Sequence, residues 1–245
     1  MESHGIIQNR QFRTFLTVLS VAFGVFLILL FIPFKGGQVA LIAKDISNIL
    51  FSLIALWVFY VAWSSSDAND VSKRIWGLFA VGMLLWAAAE IVWAYYEIIL
   101  QIETPYPSLA DILWIPGYFP FFWGLLLRYR MLNVRLDRRR TALLILTTAV
   151  FLLASIYFVL IPNIVEFDIA RLGESLLNLF YPLSDLALFI LSTLILFSFE
   201  KGRYAVTWMF VAIGFIAMSV SDLLFPICPG TDFITPMGRS TLFRS

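Results

Sequence analysis

Histidine is almost missing from this chain. Its one copy, His4, lies in the N-terminal tail, which excludes a histidine metal site, a Ser-His-Asp triad and a histidine phosphoacceptor. Cysteine is equally scarce: Cys228 alone cannot close an intramolecular disulfide. Charge is thin as well. Asp, Glu, Lys and Arg make up 13% of the residues, against about 25% in an ordinary soluble domain. A net charge of +1 excludes the basic surface that a nucleic-acid partner requires. The sequence has no Walker A loop, no activated nucleophile pair and no metal-ligand spacing. It therefore predicts no catalytic residues, no metal and no cofactor. A lysine in the last apolar run, needed for a retinal Schiff base, is also lacking, since Lys201 falls in the loop before it.

What the chain has in excess is apolar surface: 61% of its residues, where about 45–50% is usual. Seven runs stand out, at 14–34, 46–64, 76–96, 108–127, 141–161, 175–199 and 205–227, each long enough for a hydrocarbon core of ~30 Å. The expected fold is all-α, a polytopic membrane helix bundle forming one integral membrane domain over 1–245. The tail at 228–245 does not span, and the lipid bilayer is the first partner. The run at 14–34 is too long for a cleaved signal peptide, and no small-residue cleavage site follows it, so it reads as a retained signal anchor.

Basic residues in the short loops set the orientation. Arg128, Arg130, Arg135, Arg138, Arg139 and Arg140 follow the fourth run, which makes that connection cytoplasmic, with anionic lipid as an added contact. Lys73-Arg74, Lys201 to Arg203 and the tail with Arg10 and Arg13 then also fall inside. The segments with Glu97 and Glu103, and with Glu166 and Asp168, fall outside. Lys35 and Lys44 in the first outer loop run against the rule. Localisation is read as cell membrane, multi-pass, with the N-terminus cytoplasmic and the C-terminus external.

The chain repeats itself. Trp76-Gly-Leu-Phe-Ala-Val-Gly82 with Glu90 matches Trp208-Met-Phe-Val-Ala-Ile-Gly214 with Asp222, each position displaced by 132 residues. Tyr106-Pro107-Ser108-Leu-Ala-Asp111 echoes Tyr181-Pro182-Leu-Ser184-Asp185, and Asp45 precedes Asp185 by 140. Runs two to four thus correspond to runs six, seven and an absent eighth, in two parallel pseudo-repeats of approximately 14–128 and 141–227. The counterpart of Asp111 would fall near 243, where the sequence offers no apolar run. A truncated or frameshifted member of an eight-span family is the favoured reading, and a natural seven-span form the other.

Tyr106-Pro107-Ser108-Leu109-Ala110-Asp111-Ile-Leu-Trp114-Ile-Pro-Gly117-Tyr118, preceded by Glu90 and Trp93, resembles the P-S-x-A-D-x-x-W-x-x-G-Y segment of multi-span N-terminal regions in prokaryotic signalling proteins. Those regions often precede diguanylate cyclase (GGDEF-type) or histidine kinase modules. The resemblance covers roughly 40–228 and implies a sensory membrane domain whose eighth span leads to a cytoplasmic effector, hence a cytoplasmic signalling partner.

Four carboxylates, Glu90, Asp111, Asp185 and Asp222, lie in or at the edge of apolar runs with no basic residue beside them. An Asp at membrane depth costs roughly 2.5–3.5 kcal/mol on insertion scales, so such groups are functional candidates. At ~1.5 Å per residue, Glu90 lies about 24 Å beyond Arg74 and Asp222 about 28 Å beyond Arg203, while Asp111 and Asp185 lie about 12 and 16 Å below Glu103 and Glu174. All four fall in the outer half, where they would line one outward-opening pocket. Gly82, Trp86, Glu90, Trp93 and Glu97 form a single helical stripe, matched by Gly214, Met218, Asp222 and Phe225.

Plainer readings stand beside this one. The acids would fix helix packing by hydrogen bonds. Ser108 and Asp111 have capping-box spacing, and Pro182 would break its helix and restart it at Asp185. Trp86, Trp93, Tyr95, Tyr96, Tyr106, Trp114 and Tyr118 would cage a cation or form an interfacial belt, which only Trp86 is too deep to join. The ligand- or proton-binding set is Glu90, Asp111, Asp185, Asp222, Trp86, Tyr106 and Tyr118. The expected function is sensing of a small ligand or of protons from the outer side. A proton- or cation-coupled transporter and a truncated structural membrane fragment are the alternatives.

Overall fold

The computed structural model describes residues 38–102, 104–132, 136–198 and 205–224. All regular structure among them is helical. Helix α1 spans Gln38–Ser64 and α2 spans Val71–Ala94, continued by a π-turn at Tyr95–Leu100. Helix α3 spans Leu109–Met131. Helix α4 spans Arg138–Ser155 and continues through a π-turn, Ile156–Leu160, to Val165. A 3-10 turn at Ile169–Arg171 leads into α5, Leu172–Phe197, and α6 spans Ala205–Leu224. All six rods are long and apolar enough to cross a membrane, which suggests a multi-pass membrane protein. They correspond to the second to seventh apolar runs; the run at 14–34 and the tail at 228–245 lie outside the described residues.

Local chemistry sets the helix starts. Asp70 accepts from the Ser72 N–H, and Asp137 from the Arg140 N–H at 2.7 Å. Asp168 accepts from the Ala170 N–H at 2.9 Å, so each turn leaves one fewer orphan donor. That bond, with Arg171 beside it, holds the exposed Asp168 carboxyl below the usual carboxylate range.

Three sequence expectations are corrected. Helix α1 covers Gln38–Ser64, so Lys44 sits inside a spanning helix and not in an outer loop. The π-turn carries α2 on to Leu100, so Glu97 is a buried member of the rod and not a loop residue. Pro182 does not break α5, which runs unbroken past it. Proline deprives the carbonyl four residues earlier of its donor, here Asn178; the Asn163 side-chain amide supplies the replacement at 2.8 Å. Such side-chain repair is what lets proline persist in a membrane helix.

The centre of the bundle is aromatic. Phe79 of α2 and Phe121 of α3 pack with Trp208 and Phe215 of α6, and Trp76 stacks on Trp208 at 4.7 Å. Helices α2 and α3 approach through a reciprocal fit: Phe121 lies over Gly82, and Phe79 over Gly124. Small residues at a helix seam give this closeness, which matters in lipid because burial from water does not drive association there. An alanine at 82 would put its Cβ 2.6 Å from Phe121 Cε1, whereas one at 214 meets nothing within 4 Å among the described residues. Gly82→Ala is accordingly expected to cost about 1–3 kcal/mol by overpacking, and Gly214→Ala to be neutral or slightly favourable. Equilibrium unfolding of both variants in mixed micelles checks this, and equal effects would refute the close approach. Helix α4 rests on α5, with Phe151 and Phe189 stacked at 3.8 Å.

Candidate functional site

The acids of α3 and α5 are held by each other's tyrosines. The Tyr118 hydroxyl of α3 donates to Asp185 Oδ1 of α5 at 3.0 Å. The Tyr181 hydroxyl of α5 donates to Asp111 Oδ1 of α3. The two tyrosine rings lie 6.0 Å apart, so Asp111, Tyr181, Tyr118 and Asp185 form one polar seam between otherwise apolar helices. Asp111 and Asp185 are 4% and 5% exposed. Asp111 also closes the capping box: its Oδ2 accepts from Ser108 N–H at 2.6 Å and from Ser108 Oγ at 2.9 Å. The capping and the cross-helix reading of Asp111 are therefore both met by one carboxylate. Ser219 of α6 donates to the Asp185 backbone carbonyl at 3.0 Å, which ties α6 to the same seam.

At the end of the seam an open cavity of about 620 Å³ lies between α5 and the 105–112 segment. Its walls are apolar, formed by Pro105, Pro107, Leu109, Ile112, Leu176 and Phe180, and among the described residues Asp111 is the one ionisable carboxyl on them. Tyr106, beside it, donates to Asn178 Oδ1 at 2.8 Å. Burial, followed by the negative charges of Asp111 and Glu174, pushes the Tyr106 hydroxyl above the usual tyrosine value, so it is a donor at any physiological pH. A ligand with an apolar body and a donor or cationic head fits this lining.

The remaining members of the predicted set are placed differently. Trp86 stands edge-on to Tyr118 at 5.4 Å, with its indole nitrogen buried and without a partner. Glu90 turns toward Asn48 and Lys44 of α1 and toward Trp114. Asp222 lies in the last turn of α6, within electrostatic range of Glu90, Asp185 and Tyr118. Asp111 is the only one of the four acids on this cavity.

Sequence reasoning left Tyr181 out of the set, although its Tyr-Pro motif had been matched to Tyr106-Pro107. It also left out Asp45 and Glu97, which meet across the α1–α2 seam. The expectation that no basic residue in the spans offsets the acids is corrected too, because the charge of Lys44 acts on Asp45, Glu90 and Glu97. At the other end of the bundle Arg128 folds inward over the Trp208 ring at 4.5 Å, which gives it a packing role. Among the described residues, no three Asp, Glu, His or Cys side chains are placed to hold a metal ion. No family model, curated protein or solved structure matches the chain.

Proposed function

We propose that the chain is a sensory membrane domain that binds a small ligand from the outer side and has no catalytic output of its own. The observation that carries this reading is the open cavity ending on Asp111, whose carboxylate also holds Tyr181 on the facing helix. A ligand seated there bears on α3 and α5 where side-chain bonds join them. Occupancy then has a differential effect on how the helices sit, as a ligand-driven change requires. A cytoplasmic partner would receive that change.

The finer architecture belongs to the same proposal. It comprises seven spans, an inner N-terminus and 128–140 connection, an outer C-terminus, and two pseudo-repeats with the eighth span missing. Trp76 and Trp208, the first matched positions, stack face to face, as equivalent residues do near a pseudo-twofold axis. The second reading, a proton- or cation-coupled carrier, is favoured by Asp222 lying within electrostatic range of Glu90 and Asp185.

Hexyltrimethylammonium, with n-hexanol as its uncharged counterpart, separates these readings in nanodiscs and proteoliposomes. Sensing predicts saturable binding of the cation, weakened at least about tenfold, or 1.4 kcal/mol, by Asp111→Asn and by Ile112→Trp, which fills the cavity. Proton flux lost in Asp185→Asn indicates the carrier. Absence of both binding and flux leaves only the structural fragment.

A further inference from the structure

We propose that Asp45 and Glu97 form a second site, apart from the α3–α5 seam, in which two carboxyls share one exchangeable proton between α1 and the π-turn of α2. Asp45 is 3% exposed and Glu97 7%. All four of their carboxyl oxygens are buried and, among the described residues, meet no donor in full hydrogen-bond geometry, although the two groups interact directly with each other and Glu97 with the Trp93 indole. Buried polar atoms are nearly always satisfied, so four orphans in one place indicate something bound that the side chains themselves do not supply.

Charge decides what it is. Among the described residues, Lys44 and Glu90 are the other ionisable groups facing the pair, and the Trp93 indole is a neutral donor beside Glu97. Fully ionised, Asp45, Glu90 and Glu97 would oppose three negative charges to the one ammonium of Lys44. Burying that much charge without enough counter-charge is costly. A metal ion would need a third ligand in place, and among the described residues no such group is assembled. A proton needs no cavity. Placed on one carboxyl, it removes a charge and donates the hydrogen bond that the other lacks.

The local fold supports exchange. Glu97 lies three residues from the end of the rod at Leu100, where Gln101 turns the backbone left-handed at φ 52°, so the path to water is short. The π-turn itself is a rare element that recurs at functional sites. Loss of the shared proton would leave two carboxylates repelling across the α1–α2 seam and loosen it. The pair therefore makes that seam sensitive to acidity without using the cavity on Asp111.

The test uses the full chain in nanodiscs treated with dicyclohexylcarbodiimide, which adds to protonated carboxyls. The acid proton goes to a carbodiimide nitrogen, the carboxylate oxygen bonds the central carbon, and an oxygen-to-nitrogen acyl shift gives a stable adduct with no leaving group. Mass spectrometry is expected to find Glu97 or Asp45 modified at pH 7. Modification should fall roughly tenfold per pH unit once the pair has titrated. Asp45→Asn leaves Glu97 to ionise against Lys44, so its modification should fall at least about tenfold. Unchanged modification of Glu97 in that variant overturns the shared proton. Replacing potassium by sodium at fixed pH should change nothing, and suppression by sodium would assign the site to that ion instead. Should Asp45→Asn not fold, or the reagent not reach the pair, the infrared carboxylic C=O band of ¹³C-glutamate-labelled parent decides. A band present at pH 7 and missing in Glu97→Gln supports the proposal, and its absence from the parent overturns it.

Discussion

Replacing Phe121 by alanine is expected to lower the free energy of unfolding by about 3–5 kcal/mol. Its ring is fully buried, fills the seat over Gly82 and meets Trp86 at 5.5 Å and Phe215 at 5.1 Å. One side chain thus joins α2, α3 and α6. Truncation leaves a void bounded by rigid rings that cannot collapse into it, and in lipid the lost van der Waals contact is most of what held the helices together. Unfolding in mixed micelles reads the effect, with Phe119→Ala as the comparison. That residue is on the same helix but exposed, and its loss should stay within about 0.5 kcal/mol. The geometry also predicts non-additivity: Gly82→Ala, costly alone, should become nearly neutral once Phe121 is gone. Additive costs would show that the Gly82 seat is not what Phe121 fills.

The rods were legible because lipid is a simple solvent: a long apolar run has few ways to satisfy its backbone other than a helix. Where two of them end was not. A hydropathy reading stops where charge begins, at Lys44, Asp45 and Glu97, yet the helices continue through all three. The capping box was legible too, since Ser108 and Asp111 lie three residues apart and the bond is local. Nothing local announces that Tyr181, 70 positions away, completes the same carboxylate. The repeat offered a hint by pairing the two Tyr-Pro motifs, but it matched them as equivalents and gave no sign that the second reaches the acid of the first. The facing of Glu97 was hidden, because the π-turn at Tyr95–Leu100 shifts the helical phase and a regular period cannot foresee it. Pro182 failed as a breaker for a related reason: its repair comes from Asn163, on another helix.

Asp111→Ala is expected to cost about 2–4 kcal/mol, combining a lost cap worth about 1 kcal/mol with about 1–3 kcal/mol for polar groups left without an acceptor. The two parts separate by variant. Ser108→Ala removes only the hydroxyl arm of the cap, and Tyr181→Phe removes only the bond across to α5. An asparagine at 111 has one acceptor oxygen where the carboxylate has two, so it can serve the Ser108 N–H or the Tyr181 O–H but not both. Asp111→Asn should therefore fall between the parent and Asp111→Ala. In a double-mutant cycle, Asp111→Ala and Tyr181→Phe should couple by about 0.5–3 kcal/mol, the range for residues in direct contact. Ser108→Ala with Tyr181→Phe should couple more weakly, since they meet only through the carboxylate between them. A cycle with no coupling between Asp111 and Tyr181 would mean that the seam does not join α3 to α5. A ligand in the adjoining cavity would then have no means of acting on both helices at once.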